Sequence, residues 1–144
     1  MRLFVDLEET MIESSDTGIL LPDNIECLKR FADQHAIESI ETFSWGLWTD
    51  HEKATWERSR RLIEEQWGFF IRTQSFEVEE LQLEFLRASI GRVERNELAD
   101  FCGLLKKELV FEWFVCKNFQ AGHFVLVDDR VPDKEIVLDD LRIT

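Results

Sequence analysis

No stretch of this chain approaches the roughly 20 apolar residues that a membrane-spanning helix requires. Its opening residues, Met1-Arg2-Leu3-Phe4-Val5-Asp6, lack the apolar core of a secretory signal. Cysteine is scarce: Cys27, Cys102 and Cys116 are odd in number and have no paired spacing of the metal-binding kind. They lie in apolar or amphipathic runs, where cysteine behaves as a small hydrophobe, so a reducing, cytoplasmic setting is expected. His35 and His51 have no partner spacing that suggests a metal, and His123 reads as a loop residue ahead of an apolar run. Positive charge is in deficit, with 17 Lys and Arg against 30 Asp and Glu, a net charge of −13. Such a field repels phosphate backbones and anionic membranes, which disfavours nucleic acid and membrane surfaces as partners. Repeats, low-complexity tracts and linkers are also missing, so residues 1–144 are expected to form one domain around one core.

What is present is an alternation of short apolar runs with amphipathic stretches. Leu3-Phe4-Val5 is a brief run stopping at Asp6, as expected of a strand buried on both faces of a parallel sheet. Asp23 and Glu26 have capping-box spacing and predict a helix to about His35, with Ile25, Leu28, Phe31 and Ala32 on one face. Ile37 to Ser44 reads as a second strand, and Thr49 with Glu52 opens a second helix carrying Trp56, Ile63 and Trp67 as a stripe. Gly68-Phe69-Phe70-Ile71 predicts a third strand, and packing helices follow around Val78–Ala88 and Leu98–Leu105. Leu109 to Phe119 is apolar nearly all round, as in an enclosed helix, and Phe124-Val125-Leu126-Val127 is the strongest strand signal, ending in Asp128-Asp129. Strands alternating with helices imply right-handed crossovers and a mostly parallel sheet whose sites lie at the carboxyl ends of its strands. The acidic residues fall there.

Carboxylates converging on one sheet edge repel each other unless a cation joins them, and Mg²⁺ is the natural choice. It prefers oxygen ligands and needs only one or two protein carboxylates when the substrate brings a phosphate. Leu3-Phe4-Val5-Asp6-Leu7-Glu8-Glu9-Thr10 resembles the first motif of the haloacid dehalogenase (HAD) superfamily, D-x-D-x-T after a hydrophobic strand. Val125-Leu126-Val127-Asp128-Asp129 resembles its fourth motif in the DD form, and the resemblance spans residues 3 to about 140. It implies a three-layer Rossmann-like α/β fold, with a cap that is small or absent. Only a hairpin flap fits between Thr10 and the first helix, and the stretch from Ser44 to Lys117 is taken up by core elements.

The same resemblance implies Asp6 as nucleophile, Glu8 as acid/base, Thr10, Ser44 and Lys117 as substrate-binding residues, and Asp6, Glu8, Asp128 and Asp129 as holders of Mg²⁺. Glu8 would serve the metal through its backbone carbonyl. Lys117 is taken as the third-motif lysine ahead of Lys106 and Lys107, which sit further upstream on an amphipathic stretch. The implied function is a Mg²⁺-dependent phosphatase acting through an aspartyl-phosphate on a small phosphorylated substrate.

Two departures from the pattern keep a second reading open. Glu8 stands where the family carries aspartate, which moves the carboxylate about one C–C bond outward, and Glu9 stands where glycine is common. A displacement near 1 Å can lower a rate about a hundredfold. The alternative is therefore a catalytically weak or inactive HAD-like binding or regulatory module, with an unidentified protein partner left open. Trp45 and Trp48, close behind Ser44, are placed to wall a pocket.

Overall fold

Residues 1–129 and 134–138 are described by a computed structural model, so the far end of the span resembling the HAD pattern lies outside the described residues. They form an α/β structure built on a four-stranded mixed sheet. Strand β1 (Arg2–Val5) lies between β2 (Ser39–Thr42) and β3 (Gly122–Val127), parallel to both, and β4 (Lys134–Leu138) adds to β3 antiparallel. The parallel pairs are registered Val5 to Thr42 and Val5 to Val127, so all three strands run out at the same level. β4 carries Ile136 and Leu138 on the edge of the core and was not anticipated from the sequence.

The period-two alternation of β1 divides the interior into two clusters, one on each face of the sheet. Leu3 and Val5 pack with Ile25 and Leu28 of helix α1 (Pro22–Gln34) and with Trp56 and Ile63 of α2 (Asp50–Trp67). Phe4 points the other way, into a cluster with Phe124, Leu126 and the helices α3 (Val78–Ile90) and α4 (Lys107–Asn118). There its ring meets Phe111 edge-on at 5.2 Å between centroids, a favoured aromatic geometry. Buried on both faces, β1 reads as a continuous apolar run for this reason.

Local chemistry sets most helix limits. Thr49 and Glu52 form the expected reciprocal box at the start of α2, and Gly68 ends that helix in the left-handed conformation at φ 75°. The strand expected from Gly68 is thereby displaced. Only Arg72 pairs with β2, through its N–H to the Ile40 carbonyl (2.8 Å) and its carbonyl from the Thr42 N–H (2.9 Å), while Phe70 lies exposed beneath the Arg60 guanidinium. Asp23 sits inside the first turn of α1 rather than capping it, because Pro22 opens that helix without needing a donor. The expected helix around Leu98–Leu105 is a 3-10 segment, Arg95–Leu104. All three cysteines are exposed, contrary to their expected role as small core hydrophobes. Among the described residues no helix is long and apolar enough to cross a membrane.

The chain leaving β1 turns sharply. The N–H groups of Met11 and Ile12 return to the Leu7 carbonyl (2.8 and 3.0 Å), and Ile12 pairs with Leu20 to close a short hairpin flap. Glu9 occupies the left-handed region at φ 59°, where a residue with a Cβ is strained by about 1–2 kcal/mol. Glycine would adopt this backbone without that cost. Glu9→Val is expected to lower stability by about 1–2 kcal/mol, because β-branching is poorly tolerated there. Glu9→Gly should be neutral or better, and denaturant midpoints of the two variants check the pair.

Candidate functional site

The common end of β1, β2 and β3 brings three chain segments to one edge. The Asp6 N–H bonds the Val127 carbonyl (2.9 Å) and the Phe43 N–H bonds the Val5 carbonyl (2.8 Å), so the ladders carry one residue past the strands. Asp6 and Asp128 therefore emerge side by side, with Ser44 one residue further along the β2 segment. Carboxylate oxygens of Asp6, Asp128 and Asp129 all lie within 4.8 Å of one another. Such proximity needs a counter-charge.

That charge is Lys107. Its ammonium stands 2.7 Å from Asp6 Oδ1 and 2.6 Å from Asp128 Oδ2, and the three side chains are only 11, 11 and 3% exposed in the order Lys107, Asp6, Asp128. Lys107 is the first residue of α4, whose Val110, Phe111 and Val115 are buried against the sheet, so packing of the helix aims its N-terminus at the carboxylates. The positive end of the helix dipole adds to the same effect. Lys117, expected as the motif lysine, lies ten residues along the helix, roughly 15 Å away at 1.5 Å per residue. It is half exposed, ion-paired to Glu84 at 3.0 Å and placed over the Trp113 ring. Lys107, rather than Lys117, meets the acidic cluster.

Asp6, Glu8, Ser44, Trp45, Lys106 and Lys107 are among the residues around a cleft of about 390 Å³. Glu8 accepts a 2.6 Å hydrogen bond from Ser15 Oγ of the flap, and its side chain is not part of the three-carboxylate cluster. Gly46 makes this arrangement fit: a Cβ there would collide with Ser15 Oγ and come within 2.8 Å of Glu8 Oε1. Ser44 is held by a residue that sequence reasoning missed. The buried Gln74 amide accepts from the Ser44 N–H (2.8 Å) and donates to the Ser44 carbonyl (2.9 Å). It is anchored in turn by its own N–H donating to Thr42 Oγ1 at 2.9 Å. No spacing rule would have paired residues thirty apart in this way. Thr10 is separate from the cleft, lining a second cavity beside α1, and its hydroxyl is buried with no hydrogen-bond partner among the described residues.

Burial pushes the Asp6 carboxyl up to about 6, against the attraction of Lys107 and with help from Asp128. The donor set of the cluster is all oxygen, which suits a hard divalent cation such as Mg²⁺. Its formal charge, three carboxylates less one ammonium, equals that of two electrons and matches such an ion. Asp6, Asp128 and Asp129 thus fit the metal through their side chains, while Glu8 does not bring its carboxylate to the cluster. In comparisons with family models, with curated proteins and with solved structures, nothing matches the chain.

The raised Asp6 value has a sign that can be checked without metal. Below the ordinary value of 3.8 the group is protonated folded or unfolded, and between 3.8 and about 6 the folded state holds the extra proton. Stability therefore falls as pH rises through this window, and ionised Asp6 remains a net burden above it. Asp6→Asn is expected to raise the melting temperature of the metal-free protein at about pH 8, with a gain that fades toward about pH 4. A gain that grows with acidity would contradict the burial argument.

Proposed function

We propose that this protein is a HAD-like, Mg²⁺-dependent phosphatase that works through an aspartyl-phosphate on Asp6. The observation that carries the reading is the Lys107 bridge between Asp6 and Asp128 in a cleft also lined by Glu8 and Ser44. A nucleophilic carboxylate, a second carboxylate for proton transfer, a hydroxyl and a cation are what phosphoryl transfer from an ester requires. Asp6, Asp128 and Asp129, with the Glu8 carbonyl, would hold Mg²⁺, which when bound supplies neutralisation of charge on the transferring phosphoryl group.

The residues then have distinct tasks. An Asp6 carboxylate oxygen attacks phosphorus as the ester P–O bond breaks, and Glu8 gives its proton to the departing alkoxide. Glu8 next takes a proton from water, whose oxygen attacks the phosphorus of the aspartyl-phosphate, freeing phosphate and Asp6. Lys107 stabilises the carboxylate and the phosphoryl oxygens. Ser44 donates its hydroxyl to the phosphoryl group, and Gln74 sets the Ser44 backbone. The hairpin flap orients the Glu8 carboxylate through the Ser15 bond.

A second reading, a binding module without turnover, is favoured by one observation: Glu8 is engaged by Ser15 and sits one carbon further out than the family's aspartate. The two readings separate at that residue. If Glu8 is a fitted acid/base, Glu8→Gln and Glu8→Asp both lower Mg²⁺-dependent phosphate release by about a hundredfold, the second through misplacement alone. If the site is vestigial, Glu8→Asp raises hydrolysis instead. Asp6→Asn must abolish turnover of any phosphoester in a broad panel. Mg²⁺ together with beryllofluoride should raise the melting temperature of the wild-type protein and leave Asp6→Asn unmoved. Retained hydrolysis in Asp6→Asn would sink the proposal.

A further inference from the structure

The cleft does not end at the catalytic carboxylates. Trp45 and Leu105 also line a groove of about 500 Å³ that runs on to Trp48, Leu98, Arg95 and Gln82, between the β2–α2 connection and the helices α3 and Arg95–Leu104. Two observations about this groove point to a ligand. Trp48 leaves 44% of its surface in water on the wall of the groove, and the Trp45 ring lies at the junction, 5.8 Å from the Lys107 ammonium. Gln82 is only 7% exposed, lines the groove, and its amide makes no hydrogen bond among the described residues. The amide is left to hydrogen-bond water in the groove, and a ligand offering both a donor and an acceptor would take that water's place.

We propose that the groove receives a flat nitrogen heterocycle carried by the alcohol part of the substrate, so that the protein acts on a nucleoside monophosphate rather than on a simple sugar phosphate or a polymer. This deepens, and rests on, the phosphatase reading for the location of the phosphate. Tryptophan faces suit an uncharged ring, and a glutamine amide pairs side by side with the donor and acceptor of a base edge. Arg95, which faces the same groove, is already occupied by Glu79 and Glu80, so the groove offers no free cation of its own among the described residues to a second phosphate. With a net charge of −13 around it, a polyanionic chain is disfavoured relative to a single phosphate with a neutral ring.

The test compares adenosine 5′-monophosphate with ribose 5-phosphate, which share the ester and differ by the ring. Stacking is worth about 1–3 kcal/mol per base, so kcat/KM should favour the ring-bearing ester by about tenfold to a hundredfold. That ratio should fall about tenfold in Trp48→Ala and in Gln82→Leu. Gln82→Leu also separates a ligand role from a structural one: an unpaired amide replaced by an apolar side chain of similar size leaves the melting temperature level or higher. Equal kcat/KM for the two esters would overturn the groove while leaving the phosphatase reading intact. If neither ester is hydrolysed, equilibrium binding of both to the wild-type protein decides. Ring-dependent binding upholds the groove and sinks turnover, and absence of any preference overturns the groove itself.

Discussion

Carboxylates packed at the end of parallel strands repel one another, and the Lys107 ammonium is what allows Asp6 and Asp128 to share that place out of water. Removing Lys107 would leave two buried carboxylates without compensation, a change that typically costs several kcal/mol. The arrangement therefore constrains more than its own atoms. Lys107 is delivered by α4, and α4 is oriented by Phe111 and Val115 seated against Phe4, Phe124 and Leu126. The aromatic cluster on one face of the sheet is thus mechanically linked to the charge balance at its edge. A change in Phe4 or Phe111 would be felt as a shift of the ammonium relative to the carboxylates, and so as a change in what the site binds.

Much of this was legible in the chain, for definite reasons. Apolar runs that stop at Asp6 and at Asp128-Asp129 belong to strands buried on both faces, and parallel register places their ends together. The Thr49–Glu52 box is a local hydrogen-bonding pattern and needs no tertiary information. Lys107 was harder. The sequence around α4 is apolar nearly all round, so it carries no phase from which the direction of its ends can be read, and Lys117 was preferred over Lys107 as the motif lysine. Packing of that helix against the sheet selects the end that carries Lys107 instead. Gln74 was invisible for a related reason: its hydrogen bonds to Thr42 and Ser44 span a whole helix of intervening sequence. The expected strand after Gly68 shows the opposite failure, where an apolar run was strong enough to suggest pairing but a left-handed cap and one bridging residue were all the fold used.

Glu8 gains from being considered with its surroundings. A longer carboxylate is a defect if the flap is built for aspartate, yet here Ser15 reaches Glu8 Oε1 directly and the absent Cβ of Gly46 leaves the room that both need. Glu8, Ser15 and Gly46 come from three separate segments and are mutually adjusted. Such adjustment fixes the longer side chain in one position at the edge of the cleft. Glu9, strained at positive φ, sits in the turn that leads into this arrangement, a conformation that glycine would adopt without cost.

Under the proposed phosphatase reading, an acidic protein that handles phosphate faces an electrostatic conflict. Its overall field slows the approach of anions, so attraction must be generated within a few ångströms, where screening is weak. The structure concentrates its means of doing so at one end of α4: Lys107 within the cluster, Lys106 on the wall of the cleft, and the N–H groups of a helix start that has no side-chain cap. Against three carboxylates these leave the site negative until a divalent cation is bound. Under that reading the metal-free cleft would reject phosphate and the metal-loaded cleft would accept it. The same carboxylates that make the apo site unfavourable would then make phosphate recognition conditional on the cation, and the proposed groove beyond Trp45 would be left to discriminate among the esters that arrive.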